Sequence, residues 1–264
     1  MKKLIVFLAV VALLTGCSDS VARDIAEQGK AAHQHGDYEK ALNHYNRALL
    51  LMGATGDYYG EGVTYLNIGV VYYDLKDADQ ALNSYGQALE IMRAIDYRSG
   101  EGKALNNIGL VYKDQGEYEL ALENFEEALR IKIEEGDRSG ESATLANIGA
   151  VYTKQGSYTQ ALDSYFQALV ICREIDDRRG ECDTLADIGN LYDSQQNYAL
   201  ALENYNQALP ILRELGDRRG EGSVLANLGM MHNMLQEDRQ ALEILGRALV
   251  IKRELGDRRG EGVV

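Results

Sequence analysis

The sequence is poor in several kinds of residue, and the shortage of positive charge excludes a class of partner. The chain has no tryptophan, one proline and three cysteines among 264 residues. Its 27 basic residues stand against 41 acidic ones, which gives a formal net charge of −14. A basic patch is the expected footprint of a nucleic-acid-binding protein. We therefore expect no nucleic-acid partner.

Long apolar runs are also missing. A helix that crosses a bilayer needs about 20 apolar residues, whereas the run Leu4–Leu14 is shorter. It follows the positively charged Lys2 and Lys3 and precedes Leu14-Thr15-Gly16-Cys17. This order predicts an export signal over residues 1–16 that is removed from the mature protein.

The end of that signal resembles a bacterial lipobox, in which the cysteine is acylated and the preceding peptide is cleaved. The resemblance implies that Cys17 is the lipidated amino terminus and that residues 17–19 form a short tether to the membrane. By similarity to Gram-negative lipoproteins, Ser18 in place of aspartate favours the outer membrane, with the domain facing the periplasm. An ordinary secretory signal that happens to end in cysteine is the alternative.

Two further cysteines follow, Cys172 and Cys182. An exported protein could oxidise them to a disulfide. Their equivalents in neighbouring repeats are ordinary residues such as Lys132 and Gly102, so the repeat itself does not call for a bridge. Sequence spacing cannot show whether their Cβ atoms converge, and the pairing stays open.

The positive feature of the chain is a period of forty residues. Glycine recurs at positions 69, 109, 149, 189 and 229, and alanine at positions 81, 121, 161, 201 and 241. Self-similarity of this kind predicts a stack of identical units, each burying its apolar face against its neighbours. Six repeats are predicted, over residues 20–59 (divergent), 60–99, 100–139, 140–179, 180–219 and 220–259, and residues 260–264 begin a seventh.

Each repeat is predicted to be a pair of antiparallel helices. Apolar residues recur at helical spacing on both sides of Gly156, which suits the left-handed residue that ends a helix. Aspartates that follow the second helices, such as Asp137 and Asp217, are expected to cap the next helix. Gly149 is expected to be small because two helices cross there, and Tyr165 to fill the space between neighbouring units. Pro210 is expected to kink its helix.

The order Leu145, Ile148-Gly149, Tyr152, Ala161, Tyr165, Ala168 is similar to the tetratricopeptide repeat. The forty-residue period resembles that of the longer Leu-Gly-Asn subtype. The resemblance covers roughly residues 20 to 259 and implies an all-α fold, a right-handed α-solenoid of six helix-turn-helix repeats. The family's proline near the end of the second helix is absent from every repeat.

In such stacks the first helices line a concave groove that binds peptides. By resemblance, the groove positions are the two residues before the Ile/Leu-Gly pair and the residue after the glycine. The predicted groove residues are Asn67, Asn106, Asn107, Asn147, Asp187, Asn190 and Asn227, with Lys103 and Lys113 in repeat three and Asp183 and Asp193 in repeat five. An asparagine offers both a donor and an acceptor to a peptide unit. The alternative is that these amides bond within the fold. Small residues, Ala146, Ala150, Ala186 and Ala226, are expected to line the groove around them.

No residue pattern indicates catalysis. The four histidines, His33, His35, His44 and His232, lack carboxylates at a ligand spacing, so no metal site is predicted. Gly60-Glu61-Gly62 and its copies lack the spacing and the lysine of a phosphate loop. The glutamates are expected on exposed faces. We predict no enzyme and no cofactor.

The prediction for function is a lipid-anchored adaptor that binds a peptide segment of a partner protein in its groove, for an assembly of the bacterial envelope. The rival hypothesis is a self-associating structural module. It depends on Leu242, Leu245 and Leu249, because no capping helix follows them to cover the last apolar face, which would make a homodimer through that end.

Overall fold

The computed structural model describes residues 18–257 of the chain. Within that range it holds twelve α-helices and no strand, in six consecutive pairs. We call the first helix of each pair the A helix and the second the B helix. The helices are α1 Ser18–Gln34, α2 Tyr38–Thr55, α3 Tyr58–Asp74, α4 Ala78–Ala94, α5 Arg98–Gln115, α6 Tyr118–Glu135, α7 Arg138–Gln155, α8 Tyr158–Glu174, α9 Arg178–Ser194, α10 Tyr198–Glu214, α11 Arg218–Met234 and α12 Asp238–Glu254. The predicted all-α fold of helix-turn-helix units is confirmed.

The described helices form two compact units, one of α1 to α6 that ends at Gly136 and one of α7 to α12 that begins at Asp137. Inside each unit every A helix packs against its own B helix, and each B helix packs against the A helix that follows. None of the helices within residues 18–257 is long and apolar enough to span a bilayer. Cys17 and the predicted start of a seventh repeat lie outside the described residues. The predicted tether of residues 17–19 is already helical from Ser18.

A glycine of the A helix lies against a ring of its own B helix in five of the six pairs. A methyl group added at Gly149 would lie 2.8 Å from a ring carbon of Tyr165, and one at Gly109 would lie 2.7 Å from Phe125. The same contact joins Gly29 to Tyr45, Gly69 to Tyr85 and Gly189 to Tyr205, while Gly229 meets Leu245. As expected, Tyr165 belongs to the apolar cluster that contains Leu185 and Ile188 of the next repeat. Its ring in addition fills the crossing within its own hairpin. The missing side chain of the glycine makes room for it.

The turns between helices satisfy the free backbone groups at helix ends. At the start of α7, the Asp137 side chain accepts a hydrogen bond from the Gly140 backbone N–H at 2.9 Å, and Asp217 does the same for Gly220 at 2.8 Å. At the end of α7, Gly156 adopts the left-handed conformation with φ 77°. Both caps agree with the sequence prediction.

Five turns place a residue with a side chain in the left-handed conformation. These residues are Lys76, Asp96, Asp176, Gln196 and Gln236, with φ between 56° and 63°. Positive φ is uncommon outside glycine. Each residue nevertheless donates its backbone N–H to a carbonyl three residues earlier, as Lys76 does to Tyr73 at 3.0 Å. These turns therefore have the same left-handed conformation as the turns that contain glycine, although their residue carries a side chain.

A buried glutamate near the start of three A helices is held by two arginines. In the first unit, the Glu101 carboxylate accepts from Arg93 of the preceding B helix at 2.8 Å and from Arg98 at 2.6 Å. Arg98 also bonds Glu134 at the end of its own B helix, at 2.8 Å. We call this arrangement the carboxylate clamp. In the second unit it recurs around Glu181, with Arg173, Arg178 and Glu214, and around Glu221, with Arg213, Arg218 and Glu254.

The clamps correct the expectation that the glutamates lie on exposed faces. Glu101, Glu181 and Glu221 are 5%, 7% and 6% exposed. Burial alone would raise the pKa of Glu101 and Glu221, but the hydrogen bonds and charges of the arginines outweigh it and hold both pKa values below the usual range. Each clamp joins one hairpin to the next, because one arginine comes from the preceding B helix and the other from the same A helix.

Pro210 lies inside α10, which runs unbroken from Tyr198 to Glu214. The residue is exposed. Proline removes one backbone hydrogen bond of a helix, here to the carbonyl of Asn206. The helix therefore continues past the proline by means of its packing, with Leu209 and Ile211 buried on either side.

The contact between Gly109 and Phe125 gives the first testable prediction. Gly109→Ala should destabilise the chain, because the added methyl overlaps a ring with 0% exposure and such overpacking costs about 1–3 kcal/mol. Gly86→Ala is the matched control: Gly86 lies inside α4 and has nothing within 4 Å of an added methyl. Alanine there should stabilise the helix by about 0.5–1 kcal/mol. Urea unfolding followed by circular dichroism measures both, and equal midpoints for the two variants would contradict the account.

Candidate functional site

The predicted groove residues of the first unit lie on α3 and α5, two A helices that contact each other. Asn67 on α3 and Asn107 on α5 are both half-buried. Within the described residues, neither side-chain amide has a hydrogen-bond partner. A half-buried amide without a partner keeps its full capacity to donate and accept. Asn106, beside Asn107, is also half-buried and does interact within the protein.

The two predicted lysines of this unit differ in their surroundings. Lys103 is exposed near the start of α5. Lys113 is half-buried near its end, and its Nζ lies 3.8 Å from a carboxylate oxygen of Asp114. Of the two, only Lys103 presents a fully solvated charge.

A row of hydrogen bonds between neighbouring A helices was not foreseen from the sequence. His33 Nε2 of α1 lies 2.7 Å from the Asp74 carboxylate of α3, and Tyr73 of α3 donates its hydroxyl to Asp114 of α5 at 2.6 Å. The members of each pair are 41 residues apart. These bonds link the carboxyl-terminal ends of the three A helices of this unit. Asp74 also corrects the expectation that no carboxylate lies beside a histidine.

A cavity of about 240 Å³ opens beside this row, lined by Tyr73, Lys76, Ala78, Val111, Asp114 and Gln115. The Lys76 ammonium lies 5.0 Å from the centre of the Tyr73 ring. Burial and the Asp114 carboxylate raise the pKa of Tyr73 above its usual range. The hydroxyl therefore stays protonated and donates to Asp114.

In the second unit the predicted groove residues lie on α7, α9 and α11. Asn147, Asp187 and Asn227 are half-buried, and Asn190 is exposed. Tyr205 donates its hydroxyl to the Asn190 side-chain oxygen at 2.7 Å, and Asn227 Nδ2 lies 3.5 Å from the same oxygen. Asn147 and Asp187 also interact within the protein. The alternative role, bonding within the fold, thus applies to Asn190 and to Asn227.

The acidic residues predicted for repeat five lie along α9. Asp183 is exposed and Asp193 half-buried, and reduced hydration by neighbouring atoms raises the pKa of both carboxyl groups. Arg179, near the start of the same helix, bonds Asp217 at 2.5 Å and partly offsets the shift at Asp183. The face of α9 is therefore acidic over most of its length.

The small lining residues of the predicted groove are not all accessible. Ala146, Ala150 and Ala186 are half-buried. Ala226 is 4% exposed and belongs to the apolar core of the second unit. Its place in the lining is a wrong prediction, because α11 packs that position inward.

Among residues 18–257, no group of three or more histidine, cysteine, aspartate or glutamate side chains is placed to hold a metal ion. Cys172 and Cys182 are free, buried thiols. Burial raises the pKa of Cys182 to about 11, so this thiol is protonated at neutral pH and unreactive.

Near the end of the described residues, Leu242 is 73% and Val250 55% exposed on α12. Leu245 is half-buried, because it fills the crossing at Gly229. Of the three leucines named for self-association, Leu242 is the one that presents a large apolar surface.

A model of the tetratricopeptide repeat matches residues 21–94, 60–134, 100–174, 141–214 and 194–254. The chain belongs to the tetratricopeptide repeat family. Tetratricopeptide repeats form scaffolds for interaction between proteins, and the chain is built from them through both of its units. A comparison with curated proteins finds no significant match.

Solved structures with similar tetratricopeptide folds include the apo form of RapI, with 20% identity, a TM-score of 0.71 and 91% of this chain aligned to 93% of that one. A Rap protein complexed with competence and sporulation factor has 17% identity and a TM-score of 0.68, over 90% of this chain and 71% of that one. PilF of Pseudomonas aeruginosa has 18% identity and a TM-score of 0.62, over 93% and 96%. At these identities the likeness shows the fold alone.

Proposed function

We propose that this protein is a lipid-anchored adaptor of the bacterial envelope that binds an extended segment of a partner protein on its A-helix faces. The observation that carries the proposal is the state of Asn67 and Asn107, two half-buried amides without a hydrogen-bond partner within the described residues. Both amides reach solvent, so a bound peptide can replace the water that otherwise bonds to them. A peptide backbone offers the matching acceptor and donor at each residue.

Neighbouring α3 and α5 present these amides from helices in contact. An amide at the same position of successive helices can hold a backbone without reading its side chains. Each hydrogen bond contributes about 0.5–1.5 kcal/mol net, so several are needed for useful affinity. A Rap protein of similar fold, solved in complex with competence and sporulation factor, supports the view that this fold accommodates a partner.

Charge is proposed to select and orient the partner. In the first unit, Lys103 is exposed on α5 and favours an acidic residue of the segment. In the second unit, Asp183, Asp187 and Asp193 make α9 acidic and favour basic residues. Exposed ion pairs contribute only about 0–1 kcal/mol each, and their effect is mainly on specificity and the rate of association.

Lipid attachment at Cys17 is the second part of the proposal. The signal segment and Cys17 lie outside the described residues, and the sequence Leu14-Thr15-Gly16-Cys17 supports it. Because α1 begins at Ser18, the folded domain would start directly at the lipidated residue. We propose that Ser18 directs it to the outer membrane, facing the periplasm.

The asparagine proposal predicts a loss of binding without a loss of fold. The double variant Asn67→Ala, Asn107→Ala should weaken capture of the partner from detergent-solubilised membranes by about tenfold or more. Its thermal midpoint should stay near that of the unchanged chain, because neither amide bonds within the described residues.

Asn46→Ala is the matched control, since Asn46 is exposed on the B helix α2. A partner that the unchanged chain and Asn46→Ala both capture, and the double variant loses, supports the groove. Equal capture by all three chains, or unfolding of the double variant, overturns it.

Lipid attachment predicts that Cys17→Ser gives an uncleaved or soluble chain that takes up no labelled fatty acid. Cys172→Ser is the control, because this buried thiol has no part in attachment. Labelling followed by membrane fractionation measures the result. Fatty acid in the Cys17→Ser chain, or an unchanged membrane fraction, would show that the anchor lies elsewhere or does not exist.

Self-association is the second candidate, and the 73% exposure of Leu242 favours it. In this case the capture experiment would recover only further copies of the chain. Leu242→Glu should then abolish association while it leaves partner capture unaffected.

A further inference from the structure

The carboxylate clamp is complete in repeats three, five and six and incomplete in repeat two. In the clamp, Glu101 accepts from Arg93 at one oxygen and from Arg98 at the other. Forty residues earlier the carboxylate is kept as Glu61, but Gly53 and Tyr58 replace the two arginines. Ala94 likewise replaces Glu134, the second partner of Arg98.

Glu61 has the same placement as the clamped glutamates. It lies in the first turn of α3, and a methyl group added at Gly53 would lie 2.9 Å from its Oε1 oxygen. The carboxylate therefore faces position 53, as Glu101 faces Arg93. Within residues 18–257, no side chain bonds to Glu61. Burial and the neighbouring Asp57 raise its pKa, opposite in direction to Glu101.

A cavity of about 370 Å³ lies between α3 and α4 at two of the substituted positions, Tyr58 and Ala94, and its lining is completed by Glu61, Glu90, Ile91 and Ile95. Three of these residues, Tyr58, Glu61 and Ala94, occupy the clamp positions. Two carboxylates and no basic side chain line the cavity. Arg23, from α1, is bonded to Asp57 at 3.3 Å, so its charge is already partly satisfied there.

We propose that this cavity, which we call the Glu61 site, binds the guanidinium group of an arginine side chain from a partner protein. A planar guanidinium can donate two parallel hydrogen bonds to a carboxylate. Glu90 offers a second negative charge at the rim. Ile91 and Ile95 can cover the methylene stem of the arginine, and the exposed Tyr58 ring can stack on its cation.

Internal comparison favours arginine over other cations. The equivalent carboxylate binds guanidinium groups in all three complete clamps, and within the described residues none of these carboxylates is paired with a lysine. The proposal deepens the proposed function, since it assigns a partner's side chain to a second place on α3. Asn67 is six residues beyond Glu61, about 9 Å along the helix, so the two sites can be tested separately.

The test uses the ¹⁵N-labelled full chain and a capped glycine-rich peptide with one central arginine. Amide shifts should move around Gly53, Glu61 and Ile95, and the affinity should be about tenfold weaker when citrulline, a neutral isostere, replaces the arginine. The lysine peptide should also bind more weakly, because it cannot donate in parallel. Equal affinity for the arginine and citrulline peptides, or no shift at these residues, overturns the proposal.

Glu61→Gln should lower the affinity for the arginine peptide by about tenfold and leave the thermal midpoint unchanged or higher, because it removes an unpaired, partly buried charge. Glu101→Gln, the same change in a complete clamp, should lower the midpoint and leave peptide binding unchanged. Unweakened binding by Glu61→Gln rules out the Glu61 site.

The double variant Gly53→Arg, Tyr58→Arg supplies the missing arginines within the chain. Gly53 is exposed and helical, and the only atom near an added methyl is the flexible end of Glu61. The variant should melt at a higher temperature and no longer bind the arginine peptide. Retained binding would place the peptide elsewhere. The Glu61 site includes neither Asn67 nor Asn107, and the difference between the arginine and citrulline peptides reports on the guanidinium group alone. A failure here therefore leaves the groove proposal standing, and the reverse also holds.

Discussion

The contact between a glycine of the A helix and a ring of its B helix, made in five of the six described hairpins, is the constraint on which the rest of the structure depends. It fixes the closest point of each hairpin at Gly29, Gly69, Gly109, Gly149 and Gly189, and Leu245 replaces the ring in the last hairpin. Although the A helix packs its apolar side at this crossing, Asn67 and Asn107, two positions before the glycine, stay half-buried, and Lys103 is exposed. Their amides and charges are then available for other contacts.

The carboxylate clamps hold successive hairpins together, and the glycine crossings hold together the two helices of one hairpin. Their arginines are about half exposed, so water screens part of each interaction, yet the buried glutamates need both partners. Repeat two keeps the crossing between Gly69 and Tyr85 but gives up the arginines of the clamp. Core and surface thus vary independently from repeat to repeat, and a functional difference can arise at one repeat without disturbing its neighbours.

Much of the fold could be predicted from the sequence, because the period of forty marks every hairpin and Gly156 and Asp137 mark their helix ends. The left-handed turns at Lys76 and Gln196 could not, since these residues carry no sign of positive φ. The bonds from His33 to Asp74 and from Tyr73 to Asp114 join residues 41 apart, and predicting them requires the alignment of neighbouring A helices.

The clamp was missed because a glutamate between two glycines resembles a solvated residue until its arginines are placed. For the candidate groove, sequence reasoning named the positions. Only the structure separates Asn67 and Asn107, whose amides have no partner within residues 18–257, from Asn190, which is bonded to Tyr205.

The central claim is that the A-helix face of the first unit binds a partner chain. Site-specific photo-crosslinking in living cells tests it most directly, with a benzophenone amino acid at position 67 or 107 and, for comparison, at position 83 or 123 on the exposed faces of the B helices α4 and α6. The account predicts one discrete heterologous product from positions 67 and 107 and none from positions 83 and 123. Products from the B-helix positions alone, or only crosslinked copies of the chain itself, would contradict it.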